Sequence, residues 1–203
     1  MEFSINFAYS VGPYDNLLNK WCTTRFCHCE SSIVIDACVF RCMIESVIDD
    51  CFDPKLLESI KSRVKEYEGK LDVAFFILFG GKMNVRFLTN LAEDPFFRTP
   101  EAPVYECIKM NLELEQAYDL VKWNLSRVGI PYDIPRAVLL LFPVTLRQQG
   151  EPSSFFCSQL IMHMLRDNNL SDTSEYDINH MTPDDVYRFL TTTASKTEQS
   201  VTE

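Results

Sequence analysis

Hydrophobic and polar positions change period several times along this chain, and each change marks an element. Residues 27 to 35 read as a strand, and residues 38 to 46 read as its hairpin partner, turning at Asp36-Ala37. Asp53 then stands as an N-cap with Pro54 at the first helical position. Leu56, Leu57, Ile60 and Val64 recur on one face, which predicts a helix stopped by Gly69. The apolar run at 71 to 79 predicts a buried strand, followed by the turn Gly80-Gly81-Lys82 and a second strand at 83 to 89. A loop carrying Pro95, Pro100 and Pro103 separates these from a strand-like stretch at 104 to 109. From Leu112 the period is helical until Gly129, and Gly129-Ile130-Pro131-Tyr132-Asp133 reads as a helix-ending turn. Beyond another apolar stretch and the break Gly150-Glu151-Pro152, a helix starts at Cys157 and runs to about Asn168. A last helix is predicted at Thr182-Pro183, with Thr182 as N-cap, and the Thr/Ser-rich stretch from Thr191 reads as a disordered tail.

Length and composition turn these elements into one domain. At 203 residues and 46% hydrophobic, the chain has enough apolar material for a single core over residues 1–190, with 191–203 as the tail. A formal charge of −10 gives a surface that repels phosphate backbones and anionic headgroups, so nucleic acid is not an expected partner. The apolar runs Val73–Phe79 and Ala137–Phe142 are far shorter than the ~20 residues of a bilayer span, so no stable membrane insertion is expected. Without a basic, then apolar, leader at Met1, the expected location is cytoplasmic.

The cysteines add chemistry. Six of the eight lie between Cys22 and Cys51, the others being Cys107 and Cys157, and in a reducing compartment such thiols are buried hydrophobes or metal ligands. Cys22, Cys27, His28 and Cys29 make a poor zinc set, because Cys27 and Cys29 share one strand face while His28 points to the other. Neither a metal nor an organic cofactor is expected. Cys157 is different: it opens an apolar helix, where unsatisfied N–H groups and the positive end of the dipole favour a thiolate. Steps of three, four, seven and eight reach Leu160, Ile161, Met164 and Leu165, so Cys157 belongs to the core-facing stripe. His163 lies about 240° around the helix and belongs to a polar face, out of reach of Cys157.

His28 is the histidine placed on a strand, and it is the candidate base for Cys157. If the hairpin turns between Asp36 and Ala37, cross-strand partners sum to a constant that puts Glu45 opposite His28, as a carboxylate to orient the imidazole. Glu30 competes for that role, two residues away on the same face. The face with Cys29, Ile33, Ile35, Phe40 and Ile44 is the more apolar, so a twist or bulge is needed for His28 to meet the Cys157 helix.

The segments His28-Cys29-Glu30, Gly129-Ile130-Pro131-Tyr132-Asp133, Cys157-Ser158-Gln159 and Thr182-Pro183-Asp184-Asp185 resemble, in this order, the circularly permuted NlpC-type papain-like thiol hydrolases. That group includes the YiiX-like amidases and lecithin retinol acyltransferase, and the likeness covers about residues 20 to 190. Gln159 stands where a glutamate is commoner, and residues 53 to 105 match no motif of the group. The resemblance implies an α+β fold with an antiparallel sheet packed against helices, histidine preceding cysteine in the chain. It implies hydrolysis through an acyl-thioester, with Cys157 as nucleophile and His28 as base, and offers Tyr132 as a donor near the site. Ser158 is either an oxyanion donor or a helix cap. Three functions follow: a peptidase or amidase on a peptide or isopeptide amide, an enzyme of lipid acyl chemistry suggested by Phe75, Phe76, Phe79 and Phe96-Phe97, or an inactive interaction module. The acidic surface favours a soluble amide substrate over a membrane lipid.

Overall fold

The computed structural model describes residues 1–9, 25–88, 98–99, 102–103, 105–140 and 153–199. In chain order they form β1 (Glu2–Tyr9), β2 (Phe26–Asp36), α1 (Ala37–Val47), α2 (Pro54–Val64), β3 (Lys70–Phe76) and β4 (Asn84–Leu88). A two-residue ribbon, β5 (Arg98–Thr99) with β6 (Ala102–Pro103), precedes β7 (Tyr105–Asn111). The helices α3 (Leu114–Ser126), α4 (Ile134–Leu139), α5 (Cys157–Asp167) and α6 (Pro183–Gln199) follow. The fold is α+β: among the described residues, six helices accompany a five-stranded sheet of order β4-β3-β2-β1-β7, antiparallel at every pairing.

Alternation along the strands divides the sheet into two unlike faces. Phe3, Ile5, Phe7, Cys29, Ile33, Ile35, Val73, Phe75 and Val85 share one face and are buried in a single cluster with α1, α2, α3, α5 and α6. Each fully buried Phe or Ile there contributes about 1.5–3 kcal/mol from apolar area removed from water. The opposite face carries Ser4, Asn6, His28, Glu30 and Ser32, which are also buried, and Asn6 Nδ2 donates to Ser32 Oγ at 3.1 Å. This polar stripe down the middle of the sheet is where the fold departs from a plain core.

The hairpin expected at 38 to 46 is not formed. Residues 37 to 47 are helix α1, capped by Asp36, whose side chain accepts from the Cys38 and Val39 N–H groups at 2.8 and 3.3 Å. Buried Ala37, Phe40, Met43 and Ile44 recur at helical spacing, so the same apolar residues that suggest a strand fill a helix face. The partner of β2 on that side is instead β3, and β1 is a full strand at its other edge. The last helix also continues to Gln199, through the stretch composition reads as a tail.

The other boundaries follow the expected signals. Asp53 caps α2 through the Leu56 N–H at 3.1 Å, and Thr182 and Asp185 cap α6 reciprocally, each accepting from the other's backbone N–H. Gly129 after α3 has a φ of +96°, and a Cβ there would lie 2.2 Å from Asp53 Cβ, so only glycine fits between α3 and the start of α2. No helix among the described residues is long and apolar enough to cross a membrane.

Candidate active site

Strand β3 pairs with β2 from Ser31 to Asp36, and among the described residues this ladder stops short of residues 26 to 30. In the same stretch the pairing with β1 slips, from Ala8 opposite His28 to Tyr9 opposite Phe26, so Cys27 is an extra, bulged residue. Helix α5, which begins with Cys157, packs against β2. The Cys157 thiol is acted on by hydrogen bonding and charge from the His28 imidazole and from the Cys29 thiol and backbone N–H.

The start of α5 is fixed by the segment after α3. Gly129 and Tyr132 donate to the Met83 and Gly81 carbonyls at 2.9 Å, and Met83 donates to Ile130 O at 2.8 Å. On its other side the segment exchanges bonds with Phe155, Asp133 N to Phe155 O at 2.8 Å and Phe155 N to Pro131 O at 3.2 Å. The expected turn at 129 to 133 is thus a short bridge joining the start of β4 to the residue two before Cys157. Asp133 reinforces it by capping α4 through Arg136 N at 3.1 Å and accepting from Ser154 Oγ at 2.8 Å.

Electrostatics at the cluster favour a thiolate–imidazolium pair. The hydrogen bond from the Cys29 thiol, more than any other influence, holds Cys157 well below an ordinary thiol. Burial opposes this, and His28 and the Cys29 N–H add to it. Burial pulls His28 toward its neutral form, but Cys157 and Glu30 outweigh burial and raise its pKa to about 9. Cys29 is pushed well up by burial and by the neighbouring sulfur, so it remains a protonated donor. The first-turn N–H of Cys157 has no partner within the helix, and Phe156 at the N-cap supplies no side-chain bond.

Glu30 and Arg86 extend the cluster. His28 Nε2 faces Glu30 Oε2 at 3.7 Å, and Glu30 is itself hydrogen-bonded by Arg86 Nη2. Glu45 lies elsewhere: the arithmetic placing it opposite His28 fails with the hairpin. On α1 its side chain is 58% exposed and pairs with Lys61 Nζ at 3.1 Å. Tyr132 stands close enough to Cys157 for the sulfur's charge, after burial, to raise its phenol and keep it protonated. Phe79, 56% exposed, packs edge-on against the Tyr132 ring with centroids 5.3 Å apart. Ser158 neither caps nor faces the sulfur, because its buried hydroxyl donates to Met181 O at 2.6 Å and anchors the lead-in to α6.

His163 is buried rather than on a polar face. Its Nδ1 accepts from Arg166 at 3.0 Å and its Nε2 faces Asn179 Oδ1 at 3.3 Å, an oxygen that also accepts from Gln159 Nε2 at 2.8 Å. It borders a cavity of about 270 Å³ along α5 with Cys51, Phe52, Arg127, Phe155 and Arg166; Cys157 is not among that cavity's lining residues. Cys22 of the poor zinc set, and Phe96-Phe97, lie outside the described residues.

Two members of the cluster escape the sequence reading. The sequence offers Cys29 as a member of a poor zinc set and of the apolar strand face but gives it no role at the site, although its place next to His28 is a usable signal; Arg86 has no local signal at all. Fold and site together define an α+β protein with a buried cysteine at the start of a helix packed on β2, the strand that carries a buried histidine and carboxylate. Searches of protein-family models, of curated proteins and of solved structures found no match to this chain.

Proposed function

We propose that the chain is a cysteine hydrolase of peptidase or amidase type on a permuted papain-like fold, working through an acyl-thioester on Cys157. The observation that carries this is the meeting of Cys157, first residue of α5, with a buried His28 that is backed in turn by Glu30. The Cys157 thiolate attacks the carbonyl carbon of an amide. The oxyanion is met by the Cys157 N–H and by the Tyr132 hydroxyl, which stays protonated. His28 gives its proton to the departing nitrogen as the C–N bond breaks. It then takes a proton from water as water attacks the thioester, returning the carboxylic acid and the thiolate. Glu30 orients the imidazole and favours its charged form. His28 preceding Cys157 and the antiparallel sheet under a nucleophile helix support the permuted arrangement.

A second reading, lipid acyl hydrolysis or transfer on the same fold, is favoured by one observation: exposed Phe79 packed edge-on against Tyr132 gives the site an apolar approach. Turnover of peptide and isopeptide amides against a short-chain ester separates the two. We expect amide turnover that Cys157→Ala and His28→Ala both abolish. Full activity in either variant contradicts the mechanism, and turnover of the ester alone favours the lipid reading.

A further inference from the structure

Four elements meet around a cation at one end of the sheet. Tyr9 ends β1, Phe26 opens β2, Glu106 lies near the start of β7, and Tyr187 is in the second turn of α6. The guanidinium carbon of Arg25 lies 5.2, 4.9 and 5.5 Å from the ring centroids of Tyr9, Phe26 and Tyr187, each within the ~6 Å over which a ring face attracts a cation. Arg25 Nη2 donates to the Tyr9 hydroxyl oxygen at 2.8 Å and to the Glu106 carboxylate, which also accepts from the Tyr9 hydroxyl. Three aromatic walls and one carboxylate thus surround a single cationic group.

The walls are held by contacts that the guanidinium does not make. Fully buried Phe7 packs on Phe26 with ring centroids 5.3 Å apart and edge-on against Tyr187 at 5.3 Å, and Phe26 and Tyr187 lie 5.0 Å from each other. Asp184 ties α6 to β2 by accepting from the Arg25 and Phe26 backbone N–H groups, both at 2.8 Å. The Arg25 side chain is 51% exposed and that of Glu106 28%, so the cage reaches solvent and rotation of one side chain empties it. An ion pair this exposed is weak, which makes its occupant exchangeable.

We propose that this cage is a recognition site for an arginine side chain of a peptide ligand, and that Arg25 fills it in the free chain as an internal competitor. A guanidinium is planar and weakly hydrated, stacks on aromatic faces and meets a carboxylate with a fork of N–H donors, whereas a lysine ammonium is compact and strongly hydrated. The cage therefore selects arginine over lysine. A formal charge of −10 favours the approach of a cationic peptide. Arg25 offers the same chemistry at a high effective concentration, so a ligand displaces it by adding contacts beyond the cage. The proposal needs only the rings and the carboxylate, and it stands whether or not Cys157 cleaves an amide.

The test titrates the full chain and Arg25→Ala, by isothermal calorimetry, with a blocked glycine–arginine–glycine tripeptide and its lysine counterpart. Removing the competitor should tighten the arginine peptide by about tenfold, and the lysine peptide should bind that variant about tenfold more weakly than the arginine one. Arg25→Gln is measured beside it in case the alanine variant does not fold. Adding Glu106→Gln or Tyr9→Leu to either variant should remove most of the gain; the second keeps the carboxylate and so separates a cage from a simple attraction of charges. Equal affinity of the parent and the Arg25 variants for the arginine peptide, equal binding of the two peptides, or binding that survives both added changes overturns the proposal. Unfolding of both Arg25 variants makes Arg25 a structural tie and overturns it as well.

Discussion

Replacing Glu30 by Gln probes the site at the point where geometry gives a magnitude. The carboxylate lies 3.7 Å from His28 Nε2, and at an effective dielectric of roughly 20 two unit charges at that separation attract by about 4 kcal/mol. That corresponds to about three pKa units, which Arg86 on the same carboxylate oxygen reduces by competing for it. With Glu30 gone, the imidazole loses this support while burial continues to favour its neutral form. The His28 pKa should therefore fall from about 9 to near or below its ordinary 6.5. The Cys157 thiolate then loses its cationic partner at neutral pH. The assay is iodoacetamide alkylation across pH, resolved by peptide, with exposed Cys38, Cys42 and Cys107 as internal references. In the parent, Cys157 should react at a nearly constant rate across neutral pH. In Glu30→Gln the Cys157 midpoint should move up by at least about one unit. Breaking one side of a buried pair costs about 3–5 kcal/mol, so a Glu30→Gln, Arg86→Met variant that removes both charges is measured beside it. Superimposable Cys157 profiles in parent and both variants would refute the coupling of Glu30 to His28.

Two further predictions use other atoms. Tyr132→Phe removes a hydroxyl assigned to the oxyanion and should lower kcat by about 10²-fold. It should leave the alkylation rate of Cys157 unchanged, and a loss of alkylation would make Tyr132 a packing residue instead. Asp72 is pushed up to about 6 by burial and by Glu30, so its ionised form is disfavoured in the folded chain. The penalty is absent below pH 3.8, grows as pH rises through about 6, and is full above that. Because Asp72 is partly exposed, we set it at about 1 kcal/mol, and Asp72→Asn should raise the urea midpoint near neutral pH but not below pH 3.8. Equal midpoints near neutral pH would remove the penalty.

The apolar period was enough to place β2, α2, β3, β4, β7, α3, α5 and α6, because each is flanked by a cap, a proline or a glycine whose chemistry is local. It failed at residues 37 to 47 because the strand-like reading ignored Asp36, whose side chain caps a helix where a hairpin turn was expected. That single error carried Glu45 into the site, since its role rested on cross-strand arithmetic. Cys157 and His28 were legible from a helix start and a strand position. The β-bulge at Cys27 and the point at which β3 stops pairing with β2 lie in the same stretch as His28, and neither has a short-range signal. Glu30 was visible at two residues from His28, whereas Arg86 reaches it from β4 across β3, a relation fixed by register alone.

The measurement that bears most directly on the central claim is the mass of a trapped acyl-enzyme. The chain is mixed with a library of peptide and isopeptide amides and, separately, with phospholipid vesicles, quenched in acid during turnover, and digested for peptide mapping. The account predicts a peptide-derived acyl group on Cys157, lost in Cys157→Ala and accumulating in any variant that slows attack by water. A fatty-acyl group on Cys157 with no peptide-derived adduct, or an adduct on a different cysteine, would contradict it.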